Sequence, residues 1–360
     1  MEKTLSPIWR LFKIRGMGSA LTAFAGLIII YIAFGLIDPV VFRTANIVNL
    51  LRSMSIYLLI GIGQSYVLIT GNIDLSIGSV VGMSAMISAT LMTMGVAIMP
   101  AILIAMLCCL AVGAINGTLV GRFKLPPFIA TLGTMFVARG IAFMVNGNRN
   151  TLAISSGIGR EAADAFGSFF YYGRTFGIFN TFWLAIAIFI VFFFLLSKTR
   201  SGRHIYAIGS NPDAAKLSGV NVGTTTTKAY LVSAFCACTV GLIRAAQSGM
   251  GNMEAGVMYE MFGVAASVIG GVSPLGGTGI LLGTLAGAAV WQVLENGLNM
   301  LLAPVGIQRI LIGVIVVFAV LLDVVLRRGQ ASKLTRMFSF KSENPPPVTE
   351  TPAAPPKDEE

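Results

Sequence analysis

The chain has 360 residues, 55% of them hydrophobic and only 11% charged, with a mean hydropathy of +0.82. A soluble domain carries about 25% charged residues, so a single water-soluble globule is excluded. The net charge of +10 sits on no soluble basic patch, which argues against nucleic acid as a partner and points to membrane topology and anionic lipid.

Charges cluster between long apolar runs and almost vanish within them. Crossing the hydrocarbon core takes roughly 20 apolar residues in a helix, and only helices or a closed barrel satisfy their backbone there. The runs are continuous and lack the ~10-residue alternation of barrel strands. The expected fold is all-α: a polytopic transmembrane helix bundle of about ten spans. They lie near 18–37, 50–70, 75–94, 98–120, 127–146, 178–196, 226–247, 258–272, 278–301 and 305–326. The first run is too long for a signal peptide, and no small-residue cleavage site follows it.

Lysine and arginine set the orientation. Lys3, Arg10, Lys13 and Arg15 precede span one, and Arg122 and Lys124 follow span four. Lys198, Arg200, Arg203, Lys216 and Lys228 lie between spans six and seven, and Arg327, Arg328, Lys333, Arg336 and Lys341 follow span ten. All share one side if the N-terminus is cytoplasmic and the span count is even. Both termini are therefore predicted cytoplasmic. Residues 1–328 read as one transmembrane domain, with an inner loop at 197–226 and an outer loop at 147–177. Residues 329–360 read as a disordered cytoplasmic tail, because the proline-rich stretch from Lys341 to Glu360 cannot bury enough apolar surface to fold.

Along the chain, the first polar residue inside a span is Gln64. The turn from Gly71 to Leu75 follows, with Asp74 at a membrane edge, placed to cap the next span. Cys108, Cys109, Cys236 and Cys238 all lie in apolar spans and read as small buried hydrophobes. Asn116, Arg139 and Arg244 add polarity to later spans. The outer loop carries Arg149, Arg160 and Arg174 beside Phe169, Phe170, Tyr171 and Tyr172. It is either an interfacial loop with aromatics at headgroup depth or a surface whose arginines meet carboxylates on a partner.

The inner loop, Lys198 to Val222, is too polar for lipid. It contains a legible short helix. Asn211 is a good N-cap and Pro212 suits the first helical position. Asp213 complements the positive helix end, Ala214 and Ala215 favour helix, and Lys216 suits the last turn. Gly219 supplies a left-handed stop. Two turns of helix are not stable alone in water, so this one rests on its own protein or in a partner's cleft. The second short turn, Val272 to Gly277, shares a glycine–polar–leucine pattern with the first (GVSPLGGTG against NIDLSIGS), a faint internal repeat.

Ionisable groups inside spans are costly and face the protein interior. Glu295, Asn296 and Asn299 cluster in span nine beside Trp291. Trp291, Glu295 and Asn299 recur every four residues and share a helix face. A carboxylate or amide beside an aromatic ring suits a sugar. Helix–helix glue, with Glu295 paired to Arg244, is the competing explanation. His204 is the only histidine and lies in the inner loop, so no histidine proton relay exists within the spans.

Four segments carry a resemblance: GNIDLSIGSVVG (Gly71 to Gly82), LPPFIATLGTM (Leu125 to Met135), SGRHIYAIGSNPDAAKLSGVNV in the inner loop, and IGGVSPLGGTG (Ile269 to Gly279). They resemble permease subunits of bacterial ABC importers of the ribose/galactose type, the carbohydrate-uptake family. The resemblance implies a multi-pass inner-membrane permease that carries a pentose, hexose or related polyol from periplasm to cytoplasm. It implies as partners a second permease copy or a homologous permease, a cytoplasmic ATPase subunit with P-loops, and a periplasmic sugar-binding protein. Gly202, Asn211, Pro212, Asp213, Ala214, Ala215, Lys216 and Gly219 would then couple to the ATPase, with Asn211 to Gly219 as the coupling helix. Gln64, Trp291, Glu295, Asn296 and Asn299 would line the path, and Arg149, Arg160 and Arg174 would dock the binding protein. ATP and Mg would be held by the partner, with no cofactor on this chain, since no G-x-x-x-x-G-K-[ST] string occurs. The chain itself would not be an enzyme. An ion-coupled secondary transporter of a small polar solute is the alternative, but the spans lack a chain of acidic groups. An intramembrane enzyme is weaker still, without paired aspartates, H-E-x-x-H or a nucleophile elbow.

Overall fold

The computed structural model of the chain describes residues 17–304, 306–308, 310–311 and 313–314. The predicted termini, the 329–360 tail and most of the tenth span lie outside the described residues. Residues 17–314 fall within one compact unit. Thirteen α-helices are described: α1 (Met17–Ile37), α2 (Thr44–Ile69), α3 (Ile77–Thr93), α4 (Ile98–Gly121), α5 (Pro127–Met144), α6 (Ser155–Ile158), α7 (Arg160–Gly167), α8 (Asn180–Lys198), α9 (Arg200–Ser210), α10 (Pro212–Leu217), α11 (Val222–Ser248), α12 (Tyr259–Ile269) and α13 (Leu281–Met300). Among the described residues, strand is confined to one two-residue antiparallel ladder, Arg174–Thr175 with Ile178–Phe179.

Six helices, α1, α2, α4, α5, α8 and α11, are long and apolar enough to cross a membrane. Large apolar side chains such as Leu103, Leu107, Phe136, Val137, Ile190 and Phe194 are exposed on α4, α5 and α8. In water that surface would be unstable, whereas lipid solvates it. The protein is an all-helical membrane protein.

The core forms around α11, which is buried along most of its length and packs against α2, α3 and α4. Small residues permit this. Gly113, Gly117 and Gly121 form a stripe on α4 facing Tyr230, Thr227 and Gly223 of α11, where added methyl groups would strike backbone atoms. Close approach through small residues is how helices associate where the hydrophobic effect gives no help. A second seam joins α12 to α2 and α13 through Gly61, Gly263, Gly270, Gly283 and Gly287.

The predicted eighth span, 258–272, is helical, but its helix is too short to cross a bilayer and an irregular segment leads into it. Residues 249–258 descend along α3: Gly251 lies against Ala89 and Met86, and Gly256 against Val81 and the Gly78 backbone. Helix starts only at Tyr259 and runs 11 residues, about 16 Å, or half of a bilayer core. Glycines at 249, 251 and 256, together with Asn252, disfavour helix before that point. Arg139 of α5 satisfies the exposed carbonyls: its guanidinium donates to the oxygens of Met253 (2.8 Å), Ala255 (3.0 Å) and Gly78 (3.4 Å).

The two short turns share more than a sequence pattern. Gly71 N–H donates to the Leu68 oxygen and Gly271 N–H to the Val268 oxygen, each at 2.8 Å, and both glycines take positive φ. The next residue in each turn reaches one carbonyl further back, Asn72 to Val67 and Val272 to Ser267. Both are the same left-handed helix stop.

Candidate functional site

Two regions gather the residues with chemistry, one midway along the bundle and one at the end that carries α9 and α10.

The mid-bundle region lies where α2, α11, α12 and α13 meet. Four rings cluster there. The Phe262 and Trp291 centroids are 5.0 Å apart, Tyr57 lies 5.8 Å from Phe262 and 6.3 Å from Trp291, and Tyr259 lies 5.8 Å from Phe262. Polar groups edge the cluster. The Tyr57 hydroxyl donates to Glu295 Oε2 at 2.6 Å. Arg244 donates to the Tyr259 hydroxyl and to Gln247 Oε1. Glu295 thus takes its hydrogen bond from Tyr57 rather than pairing with Arg244. The beginning of α12 places Tyr259 and Phe262 on the cluster three residues apart, so the short helix creates the site.

Beyond Gln247 is an open cavity of about 800 Å³, lined in part by Arg160, Asp164, Tyr172, Gln247 and Ser248. Arg244 stands one helical turn deeper than Gln247, between this vestibule and the rings. In the other direction Gln64 is 0% exposed, and neither its amide oxygen nor its nitrogen has a hydrogen-bond partner. It sits seven residues beyond Tyr57 on the same face of α2, beside Gly263 of α12.

The other predicted polar residues disperse. Asn296 exchanges amide hydrogen bonds with Asn46 (3.1 and 3.2 Å), tying α13 to α2. Asn299 is exposed and accepts from Gln308. Asp74 caps α3 as its position implied: Oδ1 accepts from Ser76 N–H at 2.9 Å, while Oδ2 accepts from Ser233 of α11 at 2.6 Å.

At the α9 end, the inner loop is two helices rather than one. The unforeseen α9 is capped by Thr199 Oγ1, which accepts from Gly202 N–H. Gly202 is buried where any side chain would strike the Leu196 carbonyl at the close of α8. Gly202, Ile205 and Ile208 face inward at helical spacing, a signal that the sequence carried. The α10 punctuation stands as read. Asn211 Oδ1 accepts from Asp213 N–H (3.0 Å) and Ala214 N–H (2.9 Å), and Pro212 is at the first position. Gly219 takes φ +82°. Only Ala215 of α10 is buried, while Leu217 is 91% exposed.

The end of α9 rests on both short turns. Gly209 lies so close to the Ile69 carbonyl and the Gly277 nitrogen that a methyl group would collide with both. Gly277 N–H donates to that same Ile69 oxygen at 2.9 Å. Tyr206 donates its hydroxyl to the Gly279 oxygen at 2.7 Å, and burial pushes its phenol up to about 12, so it stays a donor at physiological pH. Leu275, between the two glycine pairs, is 88% exposed.

The predicted outer arginines are all exposed. Arg160 pairs with Asp164 at 3.8 Å, Arg174 stacks on Phe179 at 4.4 Å, and Arg149 sits in the strap that pairs with residues 249–253 through Thr151 and Asn150.

Comparison with known proteins gives one family, described as branched-chain amino acid transport system / permease component, which matches residues 46–320. The chain is 36% identical over 301 residues to the ribose import permease protein of Haemophilus influenzae, covering 84% of this chain and 92% of that one. It is 35% identical over 303 residues to the galactose/methyl galactoside import permease protein of Escherichia coli K12, covering 79% and 88%. It is 32% identical over 299 residues to the D-allose transport system permease protein of the same strain, covering 82% and 89%. No solved structure matches.

Proposed function

The chain belongs to the permease-component family of such transport systems, and from that premise we propose that it is the membrane subunit of an ATP-driven bacterial importer for a sugar. The family takes its description from amino acid transport, but the relatives reported above carry the names of ribose, galactose and allose permeases. The protein is a multi-pass protein of the bacterial inner membrane, built of about ten spans with both termini in the cytoplasm. The α9 end then faces the cytoplasm and the outer loop faces the periplasm.

The observation that carries the reading is the α9–α10 surface. It offers an exposed, firmly capped helix, α10, directly after α9, whose Gly209 packs against the backbone of Ile69 at the end of α2 and of Gly277 in the turn that follows α12. A separate ATPase pressing on α10 would move those helix ends directly. Gly202 and Gly209 permit the close contacts, and Asn211 to Gly219 form the docking helix. ATP and Mg belong to that ATPase, and this chain performs no catalysis. The path runs past Trp291, Glu295 and Gln64. Asn296 holds helices together, and Asn299 stands at the path's outer margin. Arg149, Arg160 and Arg174 meet a periplasmic sugar-binding protein, and a second permease copy or homologue completes the assembly.

Cross-linking tests the coupling surface. With Leu217→Cys, the permease should cross-link to a P-loop ATPase in native membranes. Cross-linking from a cysteine on the outer loop in place of α10 would refute the assignment of sides.

A further inference from the structure

The vestibule, Arg244 and the ring cluster lie in one line. The cavity wall includes Gln247. Gln247 holds Arg244, and Arg244 holds Tyr259 at the head of α12. Tyr259 packs beside Phe262 and Tyr57, and Tyr57 binds Glu295 next to Trp291. Behind this lies the unpartnered Gln64 amide, fully buried. A buried amide with no partner on either atom is uncommon and calls for a polar visitor. Nothing in packing alone calls for a guanidinium and a carboxylate on the two phenols of this four-ring cluster.

We propose that this cluster is a sugar-binding constriction at the foot of the vestibule, and that Arg244, Tyr259, Tyr57 and Glu295 determine which sugars pass. The proposal rests on the sugar-permease reading and adds a selective site within the permease itself. The chemistry fits a neutral polyhydroxylated ring. Aromatic faces receive its C–H surface. The guanidinium donates in a fixed fork while the carboxylate only accepts, so the two read hydroxyl positions in opposite senses. The rings touch one another in this structure, so the constriction is closed, and a sugar must part Tyr57 from Trp291 to pass. Because Tyr259 begins a half-length helix, its displacement needs no unwinding of a full span. Gln64 then offers the next polar contact two turns further along α2.

The site contains one of the chain's three tryptophans, which allows a direct test. Trp9→Phe with Trp183→Phe leaves Trp291 as the sole indole in the purified full-length chain. Titration with D-ribose, D-galactose and D-allose should give a saturable change in Trp291 emission for at least one of them. Tyr259→Phe and Arg244→Lys, both conservative, should weaken that titration roughly tenfold, as expected for loss of a hydrogen bond with a charged partner, and unequally among the three sugars. No saturable change with any sugar, or titrations untouched by both variants, overturns the constriction. Uptake by the wild-type complex in vesicles separates the two claims. A complex that imports a sugar while Trp291 stays silent refutes the constriction alone. A complex that imports branched-chain amino acids and no sugar refutes the sugar reading with it.

Discussion

Asn211 accepts hydrogen bonds from the backbone N–H groups of Asp213 and Ala214, so Asn211→Ala leaves two donors at the head of α10 to water alone. Loss of such a cap costs about 1 kcal/mol, and a six-residue helix has little else to hold it. Faster amide exchange over 212–217 is the expected outcome, together with reduced ATP-driven uptake. Unchanged exchange would show that the helix is held by other contacts. Gly209→Ala acts differently. The added methyl meets the Ile69 carbonyl and Gly277, both backbone, so neither can swing aside. The variant should insert into membranes yet lose uptake several-fold while its ATPase continues to turn over. Transport at the wild-type rate would contradict a rigid link between α9 and the two turns.

At the scale of elements, α12 and the segment before it matter most. Residues 249–258 run beside α3 with carbonyls that no helix satisfies, and Arg139 donates to three oxygens of this neighbourhood. Arg139→Gln shortens the reach and removes the charge. It should cost about 2–3 kcal/mol, since hydrogen bonds from charged groups are worth more than neutral ones. A lower thermal midpoint in detergent and faster proteolysis near residue 254 are the readouts, and a midpoint at the wild-type value would argue against the clamp. The α12 helix itself was legible in the sequence, but its half length was not. Hydropathy sees Tyr259–Ile269 as a span because its composition is apolar, and an average over a window hides the glycines and polar residues just before it. By contrast, α10 was legible to the residue because Asn, Pro, Asp and Gly each fix one local geometry. The pairing of Tyr57 with Glu295 was not legible, since the two lie 238 positions apart and only the fold brings them together. The Trp291–Glu295 face was legible from helical spacing, but its neighbour Asn296 turned out to bond Asn46, a contact likewise set by packing between distant helices.

At the scale of the whole molecule, the proposed function makes the chain a route between two surfaces that others occupy. The predicted outer loop carries three exposed arginines, two of them in loose contacts: Arg160 with an exposed aspartate and Arg174 over a ring. Exposed pairs of that kind contribute little to stability, so Arg149→Glu, Arg160→Glu and Arg174→Glu together should leave folding intact. They should abolish stimulation of ATP hydrolysis by the binding protein without disturbing assembly with the ATPase. An undiminished response would remove these arginines from the docking surface. The central claim is that sugar movement through this chain is driven from the α9–α10 end by a separate ATPase. Vesicles carrying the permease, its ATPase and the binding protein test it most directly. Sugar uptake is expected only when all three components and ATP are present, and none from the permease alone. Uptake by the permease alone under a proton or sodium gradient would contradict it.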